Sequence, residues 1–186
     1  MRRASVELML SRHTLIQASL AVGLMAGLAG LSVFANWYID NTGWHQMTWP
    51  FPRDAWPEGQ AWRGEGLEIY IRPKLGPCGN RNADIVEDSE VDRLTDIALL
   101  DERFTPLEPG RRIRITDLFG RTRLYRLKMK DGSERLAEAI AVSYNCDLVV
   151  ALIVGNVTDA AARKAALLFI ESNKVQVRLN QQLDGK

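Results

Sequence analysis

The chain has 186 residues, with 24 Lys+Arg against 23 Asp+Glu, two His and two Cys. That balance gives no general attraction to nucleic acid, and two His with two Cys cannot build a multi-histidine metal site or a four-thiolate zinc or iron–sulfur site. The length suits one ordinary domain plus something extra, and all five Trp fall between Trp37 and Trp62.

Residues 1–13 carry three arginines, Arg2, Arg3 and Arg12, against Glu7. Residues 14–35 then run for 22 positions without a charge. At helical rise that is about 33 Å, enough for a hydrocarbon core of about 30 Å. No Lys or Arg follows until Arg53. The positive-inside rule therefore predicts a cytoplasmic N-terminus, a single transmembrane helix over 14–36, and everything beyond on the periplasmic or extracytoplasmic side. Two readings of the run compete. The sequence Val33-Phe34-Ala35 fits a signal-peptide cleavage site. The length of the run, with Trp37 and Tyr38 at interfacial depth, fits a retained signal anchor. Ser19, Gly23 and Gly27 stand four apart, and Ala26 with Gly30 repeats the spacing on a neighbouring stripe. Small residues so spaced let a second helix approach, so they are candidates for helix packing.

Residues 37–66 read as a juxtamembrane strap. Pro50, Pro52 and Pro57 break the stretch that carries Trp37, Trp44, Trp49, Trp56 and Trp62. Prolines at this density forbid a regular helix and disfavour a central strand. An exposed strip of Trp is an association liability, so something must cover it. The candidates are the protein's own domain, the membrane interface or a partner subunit. Aromatic stacks also bind sugars, for which Asp40, Asp54 and Glu58 are the nearby carboxylates.

Residues 67–183 read as an α+β domain. Residues 67–72 alternate as a strand ending at Pro73, and 74–80 form a turn-rich loop. Ser89 caps a helix predicted over 89–104, which Pro106 stops. A strand follows at 112–116. Segments 124–130 and 133–142 flank Asp131-Gly132, a type I′ hairpin signal, although the second arm also suits a short helix. The apolar run 148–154 has the mark of a strand buried on both faces. Thr158 or Asp159 caps an Ala-rich helix over 160–172. Residues 175–179 alternate as a last strand, which predicts a C-terminal βαβ unit and a mixed sheet with helices on one face.

Cys78 and Cys146 lie 68 positions apart. In an oxidising compartment a disulfide is the default reading, worth roughly 4 kcal/mol on chain-entropy reasoning. Charge is segregated: residues 84–108 hold nine acids and two arginines, and 111–130 hold eight basic residues and one acid. The two segments either neutralise each other, form an electrostatic docking surface, or place arginines such as Arg111, Arg112 and Arg114 on anionic lipid headgroups.

Chemistry is sparse. No GxSxG, Walker loop, HExxH or GxGxxG occurs, and His45 is the one His beyond the apolar run. The turn 155–158 resembles a ligand-binding strand end but also an ordinary helix cap. Asp84, Glu87 and Asp88 match no calcium-loop spacing. The sequence therefore predicts a non-catalytic accessory or assembly subunit, without cofactor or metal. It would contact the bilayer and an integral-membrane partner or complex through the helix, the strap and the charged surface. The alternative is a periplasmic small-ligand or glycan-binding module.

Overall fold

A computed structural model describes residues 43–75, 87–144 and 147–184. Eight strands form one sheet: β1 (His45–Met47), β2 (Gln60–Gly64), β3 (Leu67–Lys74), β4 (Thr105–Pro106), β5 (Arg111–Ile115), β6 (Leu118–Lys128), β7 (Glu134–Tyr144) and β8 (Asp147–Gly155). Four helices accompany it: α1 (Asp88–Leu94), α2 (Ile97–Leu100), α3 (Ala160–Ile170) and α4 (Asn173–Asp184). The sheet order is β1-β2-β3-β8-β7-β6-β4, with β5 also paired to β6. Every pairing is antiparallel.

The central strand β8 behaves as its unbroken apolar run requires. Leu148, Val150, Leu152 and Val154 point into one core, and Val149, Ala151 and Ile153 into the other. A strand with two apolar faces needs a cover on each side. Helices α3 and α4, with Trp44 and Trp62, cover one face. On the other face lie Val91, Leu94 and Leu100 of α1 and α2, with Phe51, Tyr70, Phe104 and Tyr125. The predicted arrangement of helices on one face is thus corrected to helices on both.

The predicted C-terminal βαβ unit and mixed sheet are also corrected. Residues 173–184 are helix α4, not a strand, so no parallel pair exists among the described residues. Val175, Leu179 and Leu183 recur four apart and are buried, whereas Val177, which the alternation placed beside them, is 53% exposed. The period that governs is the helical one.

The predicted helix 89–104 is two short helices. Glu87 precedes the first, and its N–H donates to Glu90 Oε2 (3.1 Å), a capping arrangement in place of the expected Ser89 cap. Thr95 then turns extended, and its hydroxyl donates to the Val91 carbonyl (2.7 Å). Asp96 breaks the run because its carboxylate is held inside the protein, as described below. Asp159, one of the two candidate caps, does cap α3, accepting from the Ala161 and Ala162 amides.

The β6–β7 hairpin forms, but not around a two-residue type I′ turn. The Gly132 amide donates to the Met129 carbonyl, the Met129 amide donates to the Ser133 carbonyl, and Gly132 takes φ +85°. That is a three-residue loop ending in a left-handed glycine. The two-residue loop with both φ positive is instead Glu65-Gly66, joining β2 to β3. The strap boundary drawn at 66/67 therefore falls inside a hairpin, and 60–64 is regular strand rather than irregular strap.

Thr116 sits at φ +53° in the two-residue β5–β6 turn, a conformation that a β-branched residue adopts at a cost. Its amide donates to Glu171 Oε1 (3.2 Å), which ties the hairpin tip to the end of α3. Replacing Thr116 with Gly keeps that amide and removes the Cβ strain. The expected result is a stabilisation of on the order of 1 kcal/mol in urea unfolding, against the loss normally seen for glycine in a strand.

Candidate functional site

Alternation along β3 divides its side chains. Leu67, Ile69 and Ile71 enter the α3/α4 core, while Glu68, Tyr70, Arg72 and Lys74 face the other way. Glu68 accepts from Tyr70 (2.7 Å), Arg63 (2.6 Å) and Arg135 (2.9 Å). Arg72 is almost fully buried and must therefore be paired. Its Nε and Nη2 donate to Asp96 (both 2.7 Å), and its Nη1 and Nη2 donate to Asp54 (2.9 and 2.8 Å). Lys74 Nζ adds a second cation to Asp96 at 2.9 Å. One arginine thus fastens the strap, through Asp54, and the break between α1 and α2, through Asp96, to the middle of the sheet.

The same geometry sets the protonation of the group. Burial pulls the Arg72 guanidinium down, but the hydrogen bonds it donates to Asp96 and Asp54 outweigh it and hold Arg72 above its ordinary value. The hydrogen bond from Arg72 holds the Asp54 carboxyl below the ordinary carboxylate range. Trp49 completes the group, with its ring centroid 5.7 Å from the Arg72 guanidinium carbon. Trp49 also meets Phe51 edge-on (4.9 Å) and Tyr70 (6.4 Å). A Cβ at Gly59 would stand 2.3 Å from the Trp49 ring, so this close approach needs glycine.

The strap folds over this group and leaves a cleft of about 220 Å³. Trp49, Pro52, Arg53, Asp54, Trp56 and Glu58 line it, together with Arg72. The Trp56 amide donates to Asp54 Oδ1 (2.9 Å), a local turn that sets the Trp56 ring at the cleft. The Arg53 and Glu58 side chains line the cleft exposed and have no ion-pair partner among the described residues. The cleft therefore presents two indoles, one spare cation and one spare anion.

The four described tryptophans are dispersed. Trp44 is 4% and Trp62 1% exposed. Trp44 stacks on Phe169 of α3 at 5.0 Å, and Trp62 meets the same ring edge-on at 5.3 Å. These two cover the sheet face opposite to Trp49, so the protein's own core takes them. Trp62 Nε1 has no acceptor among the described residues. Trp49 and Trp56 remain at the cleft. Trp37, the small residues Ser19, Gly23, Ala26, Gly27 and Gly30, and both Cys78 and Cys146 lie outside the described residues.

The charged segments largely meet each other. Asp88 of α1 accepts from the Gly110 amide and from Arg121 (2.5 Å), which together hold its carboxyl below the ordinary range. Asp92 accepts from Arg123 (2.6 Å) and from the Tyr125 hydroxyl. Burial, with the Asp92 bond, pushes the Tyr125 phenol up. On β5, Arg111 pairs with Glu108 (2.9 Å), and Arg114 pairs with Asp117 (2.8 Å) and lies over Phe119. Arg112 is exposed with no ion-pair partner among the described residues.

A second buried acid, Glu138, lies on the α3/α4 side. It takes Arg163 Nε (2.6 Å), Arg163 Nη2 (2.5 Å) and the Thr122 hydroxyl (2.7 Å). Arg72, Asp96 and Glu138 were not singled out from sequence. The available signal was a charged residue at a position that alternation assigns to a core: Arg72 after Tyr70, and Glu138 within the apolar stretch 136–142.

Among the described residues no group of three His, Cys, Asp or Glu stands together as a metal site. No helix among them is long and apolar enough to cross a membrane, and residues 14–36 lie outside them. No protein-family model matches the chain, and no curated protein resembles it in sequence.

Proposed function

We propose that the protein is a non-catalytic, membrane-anchored accessory subunit that docks a membrane-protein partner through the strap cleft of an extracytoplasmic domain. The observation that carries this reading is the cleft itself, where Trp56, Arg53 and Glu58 are exposed or half-exposed beside the rigid Trp49–Arg72 group. Partly buried Trp and Arg are the residue types that dominate interface energetics. The fixed floor lowers the ordering cost of binding. The uncharged run 14–35 and the absence of Lys or Arg from there to Arg53 support the anchor and its orientation.

The test is gentle detergent extraction of the full chain, with stoichiometric co-purification read by mass spectrometry. The variant pair Trp56→Ala with Arg53→Glu touches neither core nor Arg72. It is expected to weaken partner association at least ~30-fold, as loss of about 2 kcal/mol at a hot spot implies, without lowering the unfolding midpoint. A monodisperse monomer from native membranes, or a complex indifferent to the pair, overturns the reading. A second reading, a small polyhydroxyl ligand, draws on the indoles of Trp49 and Trp56 beside the carboxylates of Asp54 and Glu58. It predicts saturable quenching of tryptophan fluorescence by an oligosaccharide, lost in Trp56→Ala.

A further inference from the structure

The other face of the sheet carries a second opening, independent of the strap. Helices α3 and α4 pack on β3, and the β5–β6 hairpin reaches the same core over β7, with Ile115 buried in it. Between α4 and the β5–β6 hairpin the helical cover is incomplete, and a pocket of about 250 Å³ remains. Its floor is Ile140 and Val142 of β7 with Val149 and Ala151 of β8, all buried. Leu179 and Leu183 of α4 form one wall, and Ile115 and Leu118 of the hairpin form the other. The floor residues are short or β-branched, and no long side chain rises from β8 to fill the space. The space opens to solvent past Thr116 and Asn180, and an open pocket of this size with an apolar floor is the kind of site that takes a small ligand.

Volume and rim narrow the occupant. An apolar cavity of about 150 Å³ takes benzene, with six heavy atoms. On that scale nine heavy atoms need about 225 Å³ and a sixteen-carbon lipid chain about 400 Å³. The pocket suits the first and is too small for the second. At the mouth stand Thr116, Asp117, Gln176 and Asn180. Asp117 is engaged by Arg114, Thr116 Oγ1 donates to the Ile115 carbonyl, and the Gln176 amide donates to the Ile170 carbonyl. Asn180 is exposed at the pocket, and its side-chain amide has no hydrogen-bond partner among the described residues. Such a rim hydrogen-bonds a neutral hydroxyl, and the pocket lining holds no cation to pair with a carboxylate. We propose that this pocket binds a free, short, straight aliphatic molecule of about eight carbons ending in a neutral hydroxyl, with the chain on Ile140 and Ala151 and the hydroxyl at Asn180. The hairpin tip, tied to Glu171 through the Thr116 amide, keeps one wall of the pocket in place.

The experiment uses the full chain in phospholipid nanodiscs, with isotope-labelled isoleucine methyls titrated by octan-1-ol and separately by octanoate. The expected result is saturable shifts confined to Ile71, Ile115, Ile140 and Ile170, with Kd below about 1 mM for the alcohol and at least ~10-fold weaker binding of the carboxylate. Ala151→Leu fills the floor and is expected to abolish saturation while the remaining methyl spectrum stays dispersed. Val142→Leu tests the same space from the neighbouring strand should Ala151→Leu unfold the domain. Shifts that rise linearly without saturating, or that survive in a folded filling variant, overturn the pocket. Octanoate binding as tightly as octan-1-ol overturns the neutral end.

Discussion

Asp96→Ala is expected to destabilise the domain by about 3–5 kcal/mol, the range for removing one partner of a buried ion pair. Asp96 is buried and serves two cations, Arg72 by two hydrogen bonds and Lys74 by one ion pair. Without it the buried Arg72 keeps only Asp54 among the described residues, and Lys74 loses its ion pair. Desolvation of the guanidinium then goes largely uncompensated. Total stabilities of such domains are about 5–15 kcal/mol, so the loss is a large fraction. Asp54→Ala is expected to cost clearly less, because the Asp54 side chain is 33% exposed and water can replace it at Arg72. The check is urea unfolding of both variants, with Trp49 fluorescence as a local probe. Equal losses would show that the strap contact holds Arg72 as firmly as the helix break does. A loss below about 1 kcal/mol for Asp96→Ala would show that water reaches the guanidinium.

The legible parts of this fold are those where one physical signal acts alone. β8 was readable because seven consecutive apolar residues at strand length leave no solvent face, and β3 because 67–72 alternate, although the strand runs on through Pro73 to Lys74. α3 was readable from an Ala-rich run with Asp159 at its start. α4 was not. Val175, Val177 and Leu179 satisfy period two, while Val175, Leu179 and Leu183 satisfy the helix, and only the exposure of Val177 separates them. Strand polarity was lost with it, because a helix in place of the last strand removes the crossover that implied a parallel pair.

The tryptophans fail for a related reason. Nearness in sequence suggested one strip, yet Trp44, just before β1, and Trp62 of β2 lie on the α3 side, while the proline-bent loop before β2 carries Trp49 and Trp56 to the other. Alternation alone gives the side of a strand residue, but not the partner that awaits it. For Arg72 that partner is Asp96, 24 positions away, and for Glu138 it is Arg163, 25 positions away. The opposed charge segments are a milder case. Their sequence balance allowed mutual neutralisation, and the Asp88–Arg121 and Asp92–Arg123 pairs take much of it. What remains for a partner is a smaller set, Arg112 and the cleft residues.

The Glu138–Arg163 pair gives the second large expected effect, and its asymmetry is the informative part. Arg163→Leu leaves an almost fully buried carboxylate with only the Thr122 hydroxyl, so a loss of about 3–5 kcal/mol is expected. Glu138→Leu is the milder change. Its abandoned cation belongs to a side chain that is 36% exposed at the domain surface, which can swing its guanidinium into water. The double variant Glu138→Leu with Arg163→Leu removes both charges and fills the space with apolar atoms, and it is expected to return to within about 1 kcal/mol of the parent. A double-variant cycle in urea measures all three, and the coupling should be strongly favourable because the two sites share one network. If the double variant is as unstable as Arg163→Leu, the pair is not where the loss arises. The Thr122 hydroxyl, left without its carboxylate partner and holding only the Ala139 carbonyl, then becomes the group to examine.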